Sequence, residues 1–194
     1  MSVRQGQRRL WSIASVGGNE KSLFELDDIE NPRLSPDGRQ VAFNFTKEGI
    51  INVASIPLTG GVLKPLTYDR ELAGWPCWSP DGKLLALEIK RGDDTHIAII
   101  PSQGGELTQL TFEHGQSWPY SWSPDGDKIV FAGARKGIWN LWWVSRSTRT
   151  VRPLTQNTQL NVYFRYPAWS PRGDLIVSEY SESRGNVYVM EFSE

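Results

Sequence analysis

Trp78-Ser79-Pro80-Asp81-Gly82-Lys83, with Pro76 two residues before the tryptophan, holds the turn on which the architecture of the chain rests. Its central phrase, Ser-Pro-Asp-Gly, recurs at Ser35–Gly38 and Ser123–Gly126, and an altered copy, Ser-Pro-Arg-Gly, stands at Ser170–Gly173. Successive serines are 44, 44 and 47 residues apart, so the chain is an array of supersecondary units rather than one irregular domain. The phrase has a local physical explanation. Proline presets φ near the value that the first central position of a tight turn requires, Asp bonds to nearby backbone amides, and Gly accepts the positive φ that closes the turn. The serine and acid placed side by side therefore read as turn chemistry, not as a catalytic pair. Arg172 in the fourth copy removes the Asp side chain but leaves Pro171 and Gly173, so that turn is expected to survive.

Outward from the phrase, the rest of the unit repeats as well. A short segment ending in Leu34, Trp78, Trp122 or Trp169 precedes it. Apolar or alternating runs follow at Gln40–Phe45, Leu84–Ile89, Lys128–Gly133 and Asp174–Tyr180. After a polar loop comes a second set of runs, Ile50–Ile56, Thr95–Ile100, Ile138–Val144 and Asn186–Phe192. Gly60-Gly61 and Gly104-Gly105 mark the next turn and lead to Leu66-Thr67 and Leu110-Thr111; the third unit keeps Leu154-Thr155 but has Thr148-Arg149 in place of the glycines. The runs are short, rich in β-branched and aromatic residues and bounded by turn chemistry, which predicts four strands per unit. No segment sustains a period of 3.6 between caps, so almost no helix is expected.

Four-stranded antiparallel units of this length are the blades of a β-propeller. Pro76–Lys83, followed by apolar strands and Leu-Thr, resembles the TolB-like, WD-repeat-like propeller family, and the resemblance runs from about Leu10 to Phe192. It implies an all-β propeller, in this family more often of six to eight blades, whereas the repeats counted here give about four blades in this chain. It also implies a protein or peptide partner, while leaving open the propeller domains of tricorn and prolyl-oligopeptidase-type peptidases and the sensory domains of regulators and kinases.

The whole of residues 1–194 reads as one propeller domain, with a partial blade at 10–26, full blades at 31–67, 75–111 and 118–155, and a partial blade at 165–192. The C-terminal blade lacks a fourth strand, which Lys21–Leu26 can supply, leaving Leu10–Val16 over. Closing the ring in this way would remove exposed sheet edges. Three outcomes follow: a four-bladed ring, an eight-bladed ring closed by a homodimer, or a piece of a larger propeller.

Composition narrows function by exclusion. Lys and Arg number 21 against 22 Asp and Glu, a net charge of -1, which argues against a nucleic-acid partner held by backbone electrostatics. The single cysteine, Cys77, precludes an internal disulfide and a cysteine-cluster metal site, and is expected to be a buried, inert thiol. No apolar run is long enough to span a membrane and the first residues lack a signal-peptide core, so the chain as given is expected in the cytoplasm, or in the periplasm if its parent is exported. The two imidazoles are His96 and His114. The nearest approach to a nucleophile elbow, Gly115-Gln116-Ser117-Trp118-Pro119, ends in proline and precedes no helix, so no nucleophilic catalysis is expected. No cofactor and no metal are expected; Asp125-Gly126-Asp127 belongs to a turn and has no calcium-loop continuation.

Function is thereby left to a face of the ring. The loops joining fourth to first strands, Tyr68–Gly74, Phe112–Ser117 and Gln156–Arg165, open on the same face as the second-to-third loops Thr46–Gly49, Lys90–Asp94, Ala134–Gly137 and Ser181–Gly185. Variable loops held by a rigid scaffold are where binding groups reside. The candidate residues are Tyr163, Phe164 and Arg165 in the loop that carries the extra three residues, together with Trp118, His114, Glu113 and Arg70. Aromatic and arginine side chains are favoured binding anchors, although Tyr163 and Phe164 can equally cap the inner strand. Trp118 stands one residue further from its serine than Trp75 does, which predicts a different orientation or a bulge. Adjacent Trp142 and Trp143 fall on opposite faces of one strand, so at least one is expected to pack between blades.

Overall fold

The computed structural model describes residues 2–4, 7–23, 29–68 and 70–183, and the elements among them are strands joined by turns, with no helix. Two short hairpins come first, β1 (Ser2–Arg4) with β2 (Gln7–Arg9), and β3 (Trp11–Ser12) with β4 (Lys21–Ser22). Three complete blades follow. The first is β5 (Glu30–Leu34), β6 (Gln40–Lys47), β7 (Ile50–Pro57) and β8 (Lys64–Pro65). The second is β9 (Ala73–Trp78), β10 (Leu84–Arg91), β11 (Asp94–Pro101) and β12 (Thr108–Gln109). The third is β13 (Gln116–Trp122), β14 (Lys128–Arg135), β15 (Ile138–Ser145) and β16 (Val151–Pro153). Last come β17 (Val162–Trp169) and β18 (Ile176–Glu182). Every sheet is antiparallel with neighbours paired in chain order, and the first strands of successive blades touch one another, which sets them nearest the propeller axis.

The second strands are apolar without alternation because each blade is covered on both faces. Leu85 to Ile89 and Ile129 to Ala134 are buried without interruption. Between the leading hairpin and the first blade lie Leu10, Ile29, Val41, Phe43, Ala54 and Ile56. Ala42, Val53 and Leu66 meet Leu85, Leu87 and Ile100 between the first and second blades. Ala86, Ile97 and Leu110 meet Trp122, Ile129, Phe131 and Val144 between the second and third. Trp142 packs against this third cluster while Trp143 faces the other way, under Lys128 at 5.6 Å. Cores of this kind hold propellers together blade by blade, at roughly 25 cal/mol for each Å² of apolar surface removed from water.

The Ser-Pro-Asp-Gly turns are built alike. In each full copy the serine hydroxyl donates to the Asp carboxylate, at 2.6 Å in Ser35 and Ser79 and 2.5 Å in Ser123, and accepts the amide five residues on. These bonds hold Asp37, Asp81 and Asp125 below the usual carboxylate range, the serine hydroxyl being the first cause. In the fourth copy Ser170 turns to Asp174 at 2.7 Å, and Gly173 still closes the turn at φ 76°. The turns also stack in a ring: a methyl group at Gly82 would meet Pro36 at 3.8 Å, and one at Gly126 would meet Pro80 at the same distance.

Two further repeats tie the blades. The Trp78 indole donates to Arg33 O and that of Trp122 to Cys77 O, both at 2.9 Å, each reaching one blade back; Trp169 instead bonds Gly173 O in its own turn. The Thr of each Leu-Thr pair accepts an amide of the third strand, Val53, Ile97 or Leu141, all at 2.9 Å. Thr67 and Thr155 also donate to Asn52 and Asn140, and the residue at that position in the second blade is His96.

Several expectations are corrected. Lys21–Ser22 pairs with Trp11–Ser12, not with the C-terminal blade, because Gly17 and Gly18 take positive φ and fold the chain back on itself. Leu23 to Leu26 was to continue that strand; of these only Leu23 is described, and its amide bonds Leu10 O at 2.9 Å. Within the expected strand Leu10–Val16 the structure has only Trp11–Ser12. The expected strand Asn186–Phe192 lies outside the described residues. The four-bladed ring closed by Lys21–Leu26 is therefore not the arrangement of the described residues. Where Ala42, Ala86 and Val130 are fully buried, the equivalent Val177 on β18 is 69% exposed.

Candidate functional site on the loop face

Each first strand bulges where two residues oppose one on the second strand, and this sets the loop face. The paired residues are Asn31-Pro32, Trp75-Pro76 and Tyr166-Pro167, with Asn31, Trp75 and Tyr166 at φ 49°, 52° and 51°. In β13 the proline comes one residue earlier, the shift falls at Tyr120, and no residue there has positive φ. The slip at Trp118 thus carries its indole to the position that Gly74 holds one blade earlier. Trp118 packs against Trp139 with ring centroids 4.4 Å apart and planes tilted by 46°. Such a pair is worth about 0.5–1.5 kcal/mol beyond its buried area.

Loops from adjacent blades meet on this face. Asp94, at the end of the loop between β10 and β11, accepts the Gly115 amide at 2.8 Å and bonds His114 Nδ1 at 2.7 Å. The Gly115 amide, then His114, holds the Asp94 carboxyl below its ordinary range. Arg135 donates to Gln116 O at 2.7 Å and to Ser117 Oγ at 3.0 Å, lies 3.9 Å from Glu113, and covers Trp142 at 5.5 Å. One loop on, the Asn157 amide donates to Asn140 Oδ1 at 2.7 Å and its side chain to Trp139 O at 3.1 Å, pinning the lengthened loop.

The candidate residues do not form one cluster. His114 and Glu113 stand beside Asp94 and Arg135, with Trp118 at the neighbouring strand position. Arg70 is exposed one blade earlier and lines a cavity of about 280 Å³ with Tyr68, Leu66, Ile100 and Leu107. Tyr163, Phe164 and Arg165 are not in a loop: they lie in β17 and pair with Ser181, Tyr180 and Glu179. What is corrected is the placement in a loop: the three residues belong to a paired strand, as the capping alternative had it. Phe164 meets Tyr180 edge-on at 5.6 Å, and Arg165 lies over Tyr163 at 5.7 Å.

Glu88 escaped the sequence reading, and His96, which its alternating strand placed at the surface or in a pocket lining, is buried. Glu88 is 4% exposed within the apolar strand β10, and burial pushes its carboxyl up to about 7 against hydrogen bonds from Thr95 and Trp118. Its signal was visible, a lone acid in the run Leu84–Ile89. His96 is 5% exposed with Nδ1 buried and without a hydrogen-bond partner, and burial lowers its pKa. His96→Asn, which copies the other blades, should give Thr111 an acceptor and raise stability by about 1 kcal/mol. Because a depressed imidazole pKa costs stability as pH falls through the histidine range, the gain should be larger on the acid side, which urea denaturation at two pH values measures. Cys77 is half-buried; its thiol donates to Tyr120 O at 3.2 Å, and burial pushes it up to about 12, which disfavours the thiolate.

On the opposite face, a cavity of about 370 Å³ lies between the first two turns, lined by Ser35, Asp37, Trp78 and Asp81. Smaller gaps recur at the next two seams. Their serine and aspartate groups are bonded to each other, and the cavities recur with the repeat. Among the described residues no group of three or more His, Cys, Asp or Glu is arranged to hold a metal ion, and no helix is long and apolar enough to cross a membrane.

The same architecture recurs in solved structures. A TolB-type protein of Agrobacterium tumefaciens superposes with a TM-score of 0.66 at 21% identity, over 84% of this chain and 62% of that one. TolB of Acinetobacter baumannii gives 0.67 at 24%, over 79% of this chain and 39% of that one. Dipeptidyl peptidase 4 of Porphyromonas gingivalis gives 0.57 at 15%, over 84% and 31%. The chain thus spans less than two thirds of each of these proteins, and at such identities the likeness speaks for the fold alone. No curated protein sequence matches the chain. The profile of the TolB β-propeller domain matches residues 17–194, nearly the whole length. With three complete antiparallel blades and the turn phrase that paces them, the chain belongs to the TolB β-propeller domain family.

Proposed function

We propose that this chain is a non-enzymatic recognition module that presents its loop face to a protein or peptide partner. The observation that carries the reading is the cross-bracing of the loop around Glu113 and His114: Asp94 from one blade and Arg135 from the next fix it, so exposed groups are displayed on a rigid support. Tyr68, 81% exposed, and Phe112, 64% exposed, stand at equivalent positions on that face and supply the apolar contact area that interfaces use. The serines of the turns are engaged with their own aspartates, which supports a structural role for them and not a nucleophilic one.

The test is a set of alanine substitutions on the loop face, Arg70, Glu113 and His114, against a control set on the turn face, Val62 and Lys83. Partner affinity is expected to fall at least tenfold with the first set and to stay within twofold with the second, measured by calorimetry with a partner identified by cross-linking. The reverse pattern would place recognition on the turns. A second reading, a propeller that filters peptides for a separate peptidase domain, is favoured by the likeness to the dipeptidyl peptidase fold. A hydrolase domain encoded next to these residues would support it. A second copy closing the ring is a further proposal, and the face of Val177, exposed among the described residues, is where it would pack. Light scattering at several concentrations tests it, since a strict monomer of 21.9 kDa overturns the second copy.

A further inference from the structure

Glu88 occupies a position that is Asn44 one blade earlier and Ala132 one blade later, all three buried. Asn44 uses it to accept the Trp75 amide of the next blade at 2.9 Å. Glu88 instead lies against Thr95 and the indole of Trp118, within the seam that joins the second and third blades. That seam is hydrogen-bonded throughout: Thr95 N donates to Gly115 O, Ser117 N donates to Thr95 Oγ1, both at 2.9 Å, and Gly115 N donates to Asp94. We propose that this seam is a proton-operated latch, closed when Glu88 is protonated and loosened when it ionises, so that pH sets how firmly Trp118 and Trp139 are held on the loop face.

The charges around Glu88 favour this. On β11, Asp94 is ionised and engaged by Gly115 and His114, while burial disfavours the charged form of His96. On β13, the phenol of Tyr120 is pushed up to about 12 and stays neutral. On β14, Arg135 turns its guanidinium to Gln116, Ser117 and Glu113. On β9, the residue opposite Glu88 is Gly74, which carries no charge, and Arg91 lies at the far end of β10. Among the described residues no hydrogen-bonded cation meets Glu88, so ionising it leaves a buried charge held by two neutral donors. The sign follows from linkage. The carboxyl is raised from 4.5 to about 7, so closure is fully favoured below 4.5 and weakens as pH rises through that window. The inference goes beyond the proposed function and stands whether or not the loop face binds a partner.

The experiment is amide hydrogen exchange on the whole chain from about pH 5.5 to 8.5, reading Thr95, Gly115 and Ser117 against Val53 as an internal reference for intrinsic base catalysis. Protection at the three seam amides is expected to fall about tenfold relative to Val53 in the parent chain and to stay level in Glu88→Gln. A parallel fall in both proteins overturns the latch, as does no fall in the parent. His96→Asn should leave the transition in place; its loss there, with retention in Glu88→Gln, would assign the switch to the histidine and overturn the proposal. If Glu88→Gln does not fold, carbon-13 titration of the Glu88 carboxyl in the parent chain decides. A midpoint near 7 supports the latch, and one below about 5 overturns it.

Discussion

Gly115→Ala is expected to destabilise the protein by about 3–5 kcal/mol, although the residue lies on the surface side of the loop face. A Cβ there would stand 2.1 Å from Ala134 O, inside any allowed contact, and the obstacle is backbone that is itself fixed by the β13–β14 ladder. The residue also takes φ +120°, a conformation that L side chains rarely adopt. Relief would require the loop to lift away from Ala134, and its bonds to Asp94 and Thr95 would go with it. Gly38→Ala is the control: φ is +70° but nothing stands within 4 Å of the added methyl, so about 1 kcal/mol is expected. Urea midpoints for the two variants measure the difference.

Phe131→Ala should cost a similar amount, about 3–5 kcal/mol, by a different route. Its side chain is fully buried between the second and third blades with Ala86, Ile97, Leu110, Trp122 and Val144. Truncation leaves a cavity that two sheets cannot close, because each is pinned by its own ladder and by the Trp122 bond to Cys77 O. Phe112→Ala removes a side chain of the same type that is 64% exposed, and should change stability by less than about 0.5 kcal/mol. The contrast separates residues that hold the blades together from residues offered to a partner, and thermal and urea unfolding of the pair test it directly.

The fold was legible because its signals are local and repeated. Proline, aspartate and glycine in one phrase define a turn without reference to anything distant, and the 44-residue spacing carries that turn around the propeller. The same locality explains the survival of the Ser170 turn, where Asp174 takes over the serine bond. Pairing between distant segments was not legible in this way. Lys21–Ser22 has no side chain that chooses a partner, and the two glycines before it settled the matter in favour of its sequence neighbour. The placement of Tyr163 to Arg165 in a loop failed for a related reason: the residue types that anchor interfaces also form strands, and only the register with Glu179 to Ser181 shows that these lie in one.

The loop face was legible as a place but not as an arrangement. Strand alternation sufficed to bring the Phe112–Ser117 and Lys90–Asp94 loops together, while the bonds joining Asp94, His114 and Gly115 depend on the twist between blades. Glu88 and His96 show a further limit. Each breaks a local pattern, an acid in an apolar run and an imidazole where asparagine recurs, and such breaks are where function or strain is expected. The sequence marks the break; the neighbours that give it meaning, Trp118, Thr95 and Arg135, come from the next strand or the next blade.

Recognition is expected to use the loop face and not the row of turns. A photoreactive phenylalanine placed in turn at Tyr68 and Phe112 on the loop face, and at Val62 and Lys83 on the turn face, tests it in cells that make the protein. Discrete cross-linked products from Tyr68 and Phe112, with none from Val62 and Lys83, are the predicted result. Products from the turn-face positions alone would contradict it.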